Sequence, residues 1–225
     1  MTFNDLYIRN IDDLKVAVTK LGFVPFFENS IHGFSIEEHV DPRIWFSNED
    51  GPWEWKGPVI NELTCAYGKF FEKKAVYISS EWFPDFANYR RNGYDFDARY
   101  EDGLVYIGDK RLYDLIDNNA PIMSKHLKQI GNYRKGGNKG FDTIINRLQS
   151  QGYVLISDFR YMIDKNGNEY GWGVAEYSTP EQFMGEAFSS NVYKRTPEES
   201  FIRMFEHLRE ILPGADKQTI YKLLK

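Results

Sequence analysis

One cysteine, Cys65, stands in the whole chain. No disulfide framework and no Cys-based zinc site can be built from it. The four histidines, His32, His39, His126 and His207, fall at no metal-ligand spacing, and nothing asks for a cofactor. No apolar run approaches membrane-spanning length and there is no signal-peptide pattern. The expectation is a soluble, cytoplasmic protein without a membrane partner. A general excess of base is missing too. The formal net charge is −5, which argues against a uniformly basic nucleic-acid binder. Glutamine is absent before Gln129.

What is present is apolar and aromatic. Hydrophobic residues make up 42% and aromatic residues 16% of 225 residues, enough for a substantial core. The charge is unevenly spread. Residues 1–50 hold nine acids against four bases, whereas residues 124–147 hold six bases (Lys125, Lys128, Arg134, Lys135, Lys139, Arg147) against one acid, Asp142. A local basic face on an acidic protein is what matters for DNA.

Residues 109–178 carry the clearest pattern. Leu112, Leu115 and Ile116 at helical spacing predict a helix over 110–118, stopped by Asn118-Asn119 and Pro121. Ser124 reads as the cap of a second short helix, with Leu127 and Ile130 apolar and Gly131 ending it. A glycine-rich turn (Gly136, Gly137, Gly140) leads to a third helix over about 138–151, with Phe141, Ile144, Ile145 and Leu148 on one face. Residues 153–156 read as a buried strand, Asp164 to Asn168 as a hairpin turn, and 172–177 as the return strand. Three helices and a hairpin make a winged helix-turn-helix.

Upstream, Asn10 or Asp12 caps a helix that Gly22 stops. Phe23 to Phe27 is extended, because Pro25 excludes helix there. A short helix is expected near 35–39, a helix opening at Gly57-Pro58 and running to Ala66, strands over 67–71 and 75–78, a helix capped by Ser80 reaching Arg91, and a short helix over 95–100. The helix-plus-hairpin part could be a degenerate second winged module. Downstream, Thr179-Pro180-Glu181 starts a short helix. Thr196-Pro197-Glu198-Glu199 is a capping box for a long one, and Asp216 to Leu224 is a last helix. The expected architecture is therefore α+β and mostly helical. An aromatic-rich region (1–108) carries a winged-helix domain (109–178), and C-terminal helices (179–225) pack on the body.

The basic module offers a DNA-contacting set: Lys125, Lys128, Arg134, Lys135, Asn138, Lys139, Asn146 and Arg147, with Lys165 at the wing tip. Its bland alternative is a scaffold with a solvated charged face. The aromatic cluster, with Trp53, Trp55, Lys69, Trp82, Tyr89 and Arg90 as a candidate pocket, could stack an extruded base. An ordinary aromatic core is the stronger reading. The acids Asp95, Asp97, Glu101 and Asp102 read as a solvated helix face. The Asp164-x-Asn166-x-Asn168 run fails as a calcium loop, having Glu169 at its sixth position and Ala175 at its twelfth.

The segments Trp53-Glu54-Trp55-Lys56, Ala66-Tyr67-Gly68-Lys69-Phe70-Phe71, Ser80-Glu81-Trp82-Phe83-Pro84 and Tyr100-Glu101-Asp102-Gly103 resemble the small bacterial AlkZ-related proteins. These are shorter relatives of the AlkZ and YcaQ DNA glycosylases. The resemblance implies tandem winged helices and a link to DNA. The glycosylases use a Gln-x-Gln or Gln-x-Asp motif near their N-terminus to position water. Here the one such motif is Gln149-Ser150-Gln151, at the end of the third helix, which leaves Gln149 and Gln151 as weak catalytic candidates. The family's barrel domain is expected to be missing. The function read from the chain is that of a winged-helix protein binding double-stranded DNA, of regulatory or repair-accessory type. The alternatives are a non-enzymatic interaction scaffold and a reduced glycosylase acting on alkylated bases, so enzymatic activity stays open.

Overall fold

The computed structural model describes residues 1–46, 50–163, 165–167 and 169–225, the side chains of 169–172 excepted. After a short 3-10 turn (Phe3–Asp5), the N-terminal elements are α1 (Ile11–Leu21), β1 (Phe23–Pro25), α2 (Pro42–Trp45), α3 (Pro52–Leu63), β2 (Ala66–Phe71) and β3 (Lys74–Ile78). Two helices, α4 (Phe83–Arg91) and α5 (Phe96–Glu101), lead to a central set. This is α6 (Ile107–Asp117), β4 (Ile122–Met123), α7 (Ser124–Ile130), α8 (Phe141–Ser150), β5 (Leu155–Ile163) and β6 (Glu169–Ser178). The chain closes with α9 (Pro180–Met184), α10 (Glu186–Ser189), α11 (Pro197–Ile211) and α12 (Lys217–Leu224). The fold is α+β, with helices outweighing two small antiparallel sheets.

Both sets run helix, strand, helix, helix, strand, strand. Their sheets also share one order: β1-β3-β2 in the first and β4-β6-β5 in the second. In each, the last strand is central and pairs antiparallel with both neighbours. The sets pack reciprocally. Helix α3 lies on β5, α8 lies on β2, and the strands β2 and β5 touch. Glycine permits the close approach on α3, where a side chain at Gly57 would meet the Asp158 carboxylate at 2.8 Å with the Phe159 backbone behind it. The buried apolar residues of both sets form one contiguous core.

Local signals account for most elements. Asn10 caps α1 by accepting a hydrogen bond from the Asp13 N–H (2.9 Å). Thr196 and Glu199 form the capping box of α11. Asp95 and Asp216 cap α5 and α12. Other expectations shift. Helix α3 starts at Pro52, where the missing N–H of proline is harmless, and runs through Pro58, because Trp55, Val59 and Ile60 are buried on its core side. Residues 36–40 form a turn and bridge rather than a helix. Met123, not Ser124, is the N-cap of α7, and Trp82, not Ser80, that of α4. Of the expected hairpin turn, Asp164 and Asn168 lie outside the described residues, and Lys165-Asn166 form a turn.

Buried polar groups bind the C-terminal helices to the body. Arg91, 1% exposed, donates to the Glu181 carboxylate (2.7 Å), the Tyr193 hydroxyl (3.0 Å) and the Gly152 carbonyl (2.7 Å). Its guanidinium also lies 4.5 Å from the Tyr153 ring centre. The buried Asp85 accepts hydrogen bonds from Ser200 (2.8 Å), Arg195 (3.4 Å) and Arg203. These contacts fix α4 against α9, α11 and the turn between α8 and β5, and through it the two sets against each other.

Candidate nucleic-acid interface

Helix α7 is only seven residues long, and it buries Leu127 into the core. That leaves Lys125 and Gln129 exposed on its outer side, with Lys128 half-buried. The Lys128 ammonium sits 4.6 Å above the Phe141 ring and 3.4 Å from the Asp142 carboxylate. Tyr133 packs edge-on against Phe141, at 5.2 Å between ring centres. Lys125, Lys128, Gln129, Tyr133 and Arg134 together line a shallow groove of about 370 Å³ that contains no carboxylate. The α7–α8 loop carries exposed Arg134, Lys135 and Lys139. Asn138 closes that loop: its backbone N–H donates to the Asn132 carbonyl (2.8 Å) and its side-chain amide to the Gly131 carbonyl (2.9 Å). Gly136 and Gly140 take φ of 85° and 83°, a region that side-chain-bearing residues rarely adopt.

Arg147 faces elsewhere. Its Nε donates to Asp109 Oδ2 (2.7 Å) and its Nη2 to Asp109 Oδ1 (2.5 Å), and the Asp109 carboxylate is 5% exposed. The hydrogen bond to that carboxylate raises the arginine's pKa further. Thr143, Asn146, Arg147 and Ser150 line a second groove with Lys73 from the β2–β3 turn. Lys165 is exposed at the turn of the β5–β6 hairpin. That hairpin runs along α3, where the Tyr161 hydroxyl donates to Glu54. The structure thus brings Lys125, Lys128 and Arg134 together, with Lys135 and Lys139 on the adjoining loop. It places Asn146 and Arg147 on a different stretch of α8, and Lys165 at the exposed turn of the β5–β6 hairpin.

Both ends of the Gln149 side chain are engaged. It is 1% exposed; its Oε1 accepts from the Lys69 backbone N–H (3.1 Å) and its Nε2 donates to the Ile145 carbonyl (3.3 Å). Gln151 follows as the C-cap of α8, its backbone N–H bonded to the Arg147 carbonyl (3.0 Å).

The aromatic candidates are dispersed over separate clusters. Trp53 packs with Phe26 and Trp45, at 5.3 and 6.0 Å between ring centres. Trp55 is buried and its indole N–H donates to Asp50 (2.5 Å). Trp82 is stacked on His207 at 4.0 Å, with the Arg203 guanidinium 3.8 Å from its ring centre. Tyr89 packs against Phe201, and Arg90 donates to the carbonyls of Lys225 and Leu223 near the end of α12. Burial lowers the Arg90 pKa. Lys69 offers its backbone to Gln149 and its exposed side chain to solvent.

Three of the four histidines are spent on backbone or local partners, and His126 is exposed. His39 is hydrogen-bonded to the Leu6 and Gly33 carbonyls, His207 to the Leu21 carbonyl, and His32 lies 2.7 Å from Glu38. Among the described residues no three His, Cys, Asp or Glu side chains are grouped for a metal ion. Burial pushes the Cys65 thiol up to about 12, which leaves it protonated at neutral pH.

The sequence matches the AlkZ-related family over residues 8–225. The chain belongs to the AlkZ-related family. That places it beside DNA-repair glycosylases by kinship. No curated protein and no solved structure matches this AlkZ-related chain. No helix among the described residues is long and apolar enough to cross a membrane. Two residues had no signal in the sequence: Lys73, which lines the second groove, and Asp109, which holds Arg147 from behind it. Both are brought in by tertiary packing, Asp109 from 38 residues before Arg147.

Proposed function

We propose that this AlkZ-related protein contacts double-stranded DNA through the α7–α8 edge of a winged helix, one of two in the chain, in a regulatory or repair-accessory role. The element order and the shared sheet order support the winged reading of both sets. The observation that carries the DNA reading is the groove of Lys125, Lys128 and Arg134, lined by no carboxylate though Asp142 pairs with Lys128 at its edge, and continued by exposed Lys135 and Lys139. Phosphate contacts need cations that are exposed and clustered, whatever the net charge.

The test is fluorescence anisotropy with a short duplex across a salt series. Log affinity should fall linearly with log salt. The triple variant Lys125→Glu/Arg134→Glu/Lys135→Glu should bind at least about tenfold more weakly and with a shallower salt slope. Wild-type protein that ignores duplex at low salt, or a triple variant that binds unchanged, would sink the reading.

A scaffold role is the second reading. It is favoured by the contact of α8 with β2 and by the Arg147–Asp109 pair, which spend part of the helix on intramolecular packing. A role without base excision draws support from the burial of Gln149 and the engagement of both its amide oxygen and nitrogen.

A further inference from the structure

We propose that α8 and the β2–β3 turn form a composite cleft for the backbone of duplex DNA, in which the N-terminal set supplies the wing contact for the helix of the central set. This rests on the DNA reading above and adds a second contact, built from both sets.

The cleft holds about 320 Å³ and is lined by Lys73 on one side and Thr143, Asn146, Arg147 and Ser150 on the other. No carboxylate and no apolar side chain lines it. Positions 143, 146, 147 and 150 follow helical spacing, so they form one outward stripe, opposite the buried Phe141, Ile145 and Leu148. Hydroxyl, amide and guanidinium groups on one stripe are the donors and acceptors that read base edges and phosphates.

Two features go beyond composition. The Arg147 guanidinium is oriented by the bidentate contact to buried Asp109, which uses its Nε–H and one Nη2–H. The remaining N–H groups are left for an anion, and the side chain is already fixed in place. The second feature is the turn. Phe71 pairs with Lys74, so Glu72-Lys73 form a two-residue hairpin loop, and both take left-handed φ, 48° and 61°. Such turns favour Asn-Gly. The chain keeps an exposed lysine where glycine would be less strained.

The dimensions select the ligand. An α-helix is about 10–12 Å across with its side chains, which fits a B-form major groove about 12 Å wide. Cations stand at both ends of the helix, Lys139 before its first turn and Lys73 beside its last turns. A-form RNA offers a major groove too narrow for such a helix. In the hairpin that usually serves as the wing of α8, strand β5 packs on α3 instead.

The experiment compares wild type with Lys73→Gly, Lys73→Glu, Lys165→Glu and the triple edge variant, using anisotropy with a 20-base-pair DNA duplex and an RNA duplex of equal length. Lys73→Gly should melt at or above the wild-type temperature, since the turn is relieved, yet bind DNA about three- to tenfold more weakly and with a salt slope smaller by about one. Lys73→Glu should weaken binding further, and Lys165→Glu should leave it unchanged. Lys73→Gly and Lys73→Glu proteins that bind like wild type, while the triple edge variant fails, would overturn the cleft and leave the DNA reading standing. Equal affinity for the RNA duplex would overturn the choice of ligand. A wild type that binds neither duplex would overturn cleft and DNA reading together.

Discussion

The two sets put one arrangement to different uses. Helix α3 carries Trp53, Trp55 and Pro58, and its polar positions include Glu54 and Glu62, the latter 2.5 Å from Lys15. Helix α8 carries Thr143, Asn146, Arg147 and Ser150 outward. The chain before α3 is acidic and aromatic, whereas the loop before α8 is basic and glycine-rich. Each helix also rests on a strand of the other set, but through different chemistry. On α3 the seam is aromatic and cationic: the Lys56 ammonium lies 4.3, 4.7 and 5.9 Å from the ring centres of Phe159, Trp53 and Phe26. On α8 it is neutral and hydrogen-bonded, through Gln149 and the Lys69 backbone. A repeated scaffold thus leaves one helix for packing and the other for a polar surface.

The strongest way to break this pairing is at Arg91, which ties α4 to the Gly152 carbonyl in the turn between α8 and β5. Arg91→Met leaves that carbonyl, the Tyr193 hydroxyl and the Glu181 carboxylate without their buried donor. A loss of about 2–3 kcal/mol is expected, because the buried Gly152 carbonyl is left without its donor while the Glu181 carboxylate, 38% exposed, stays partly solvated. Four of the five tryptophans, Trp45, Trp53, Trp55 and Trp82, lie in or just after the N-terminal set, and Trp172 is in the sequence of β6. Urea unfolding followed by tryptophan fluorescence and by circular dichroism should coincide in the wild type. Two separated transitions in the wild type would mean that the sets fold independently and that the reciprocal packing is weak.

Next in size is Gly57→Val, which forces a side chain from α3 into Asp158 on β5. Overpacking of this kind costs about 1–3 kcal/mol. Gln149→Leu probes the other seam. It keeps the shape and removes the acceptor of the Lys69 N–H, for about 1–2 kcal/mol. Denaturation midpoints order the two seams, and a Gly57→Val protein as stable as wild type would show that α3 can lift from β5 freely.

How much of this was legible depends on the range of the interaction. The third helix of the central set could be read from Phe141, Ile144, Ile145 and Leu148, and α11 from its capping box, because both signals are local. Strand β4 could not, since two residues show no period. Pro58 suggested a helix start because a proline is usually a boundary, but burial of Trp55 and Ile60 holds α3 through it. The sheet order that relates the two sets has no sequence signature at all. At the site, the exposed bases of the α7–α8 loop were legible as a charge run. The fixing of Arg147 by Asp109 and the arrival of Lys73 beside α8 depend on tertiary packing. The same packing scattered the aromatic set: nearness in sequence put Trp53, Trp82 and Tyr89 together, whereas the fold sends Trp82 and Tyr89 towards α11.

The finest distinction between the seams is their response to pH. Burial lowers the Lys56 pKa to about 8 from an ordinary 10.5, with Glu54 acting weakly in the other direction. Between these values the unfolded chain binds the proton that folded Lys56 has released, so stability contributed by this group rises with pH across that window. Below about pH 8 both states are protonated, and the cost of holding the cation among rings is at its full value. Lys56→Met removes the titration, and tyrosine ionisation at higher pH is common to both proteins. The wild type should therefore gain on Lys56→Met by about 1 kcal/mol from neutral pH to about pH 10, once partial solvent access is allowed for. Gln149→Leu, which changes an uncharged amide bonded to backbone groups, should keep a constant difference from wild type over the same range. A flat difference for Lys56→Met as well would mean that the ammonium is hydrated and that its three ring contacts do little to hold α3 on β5.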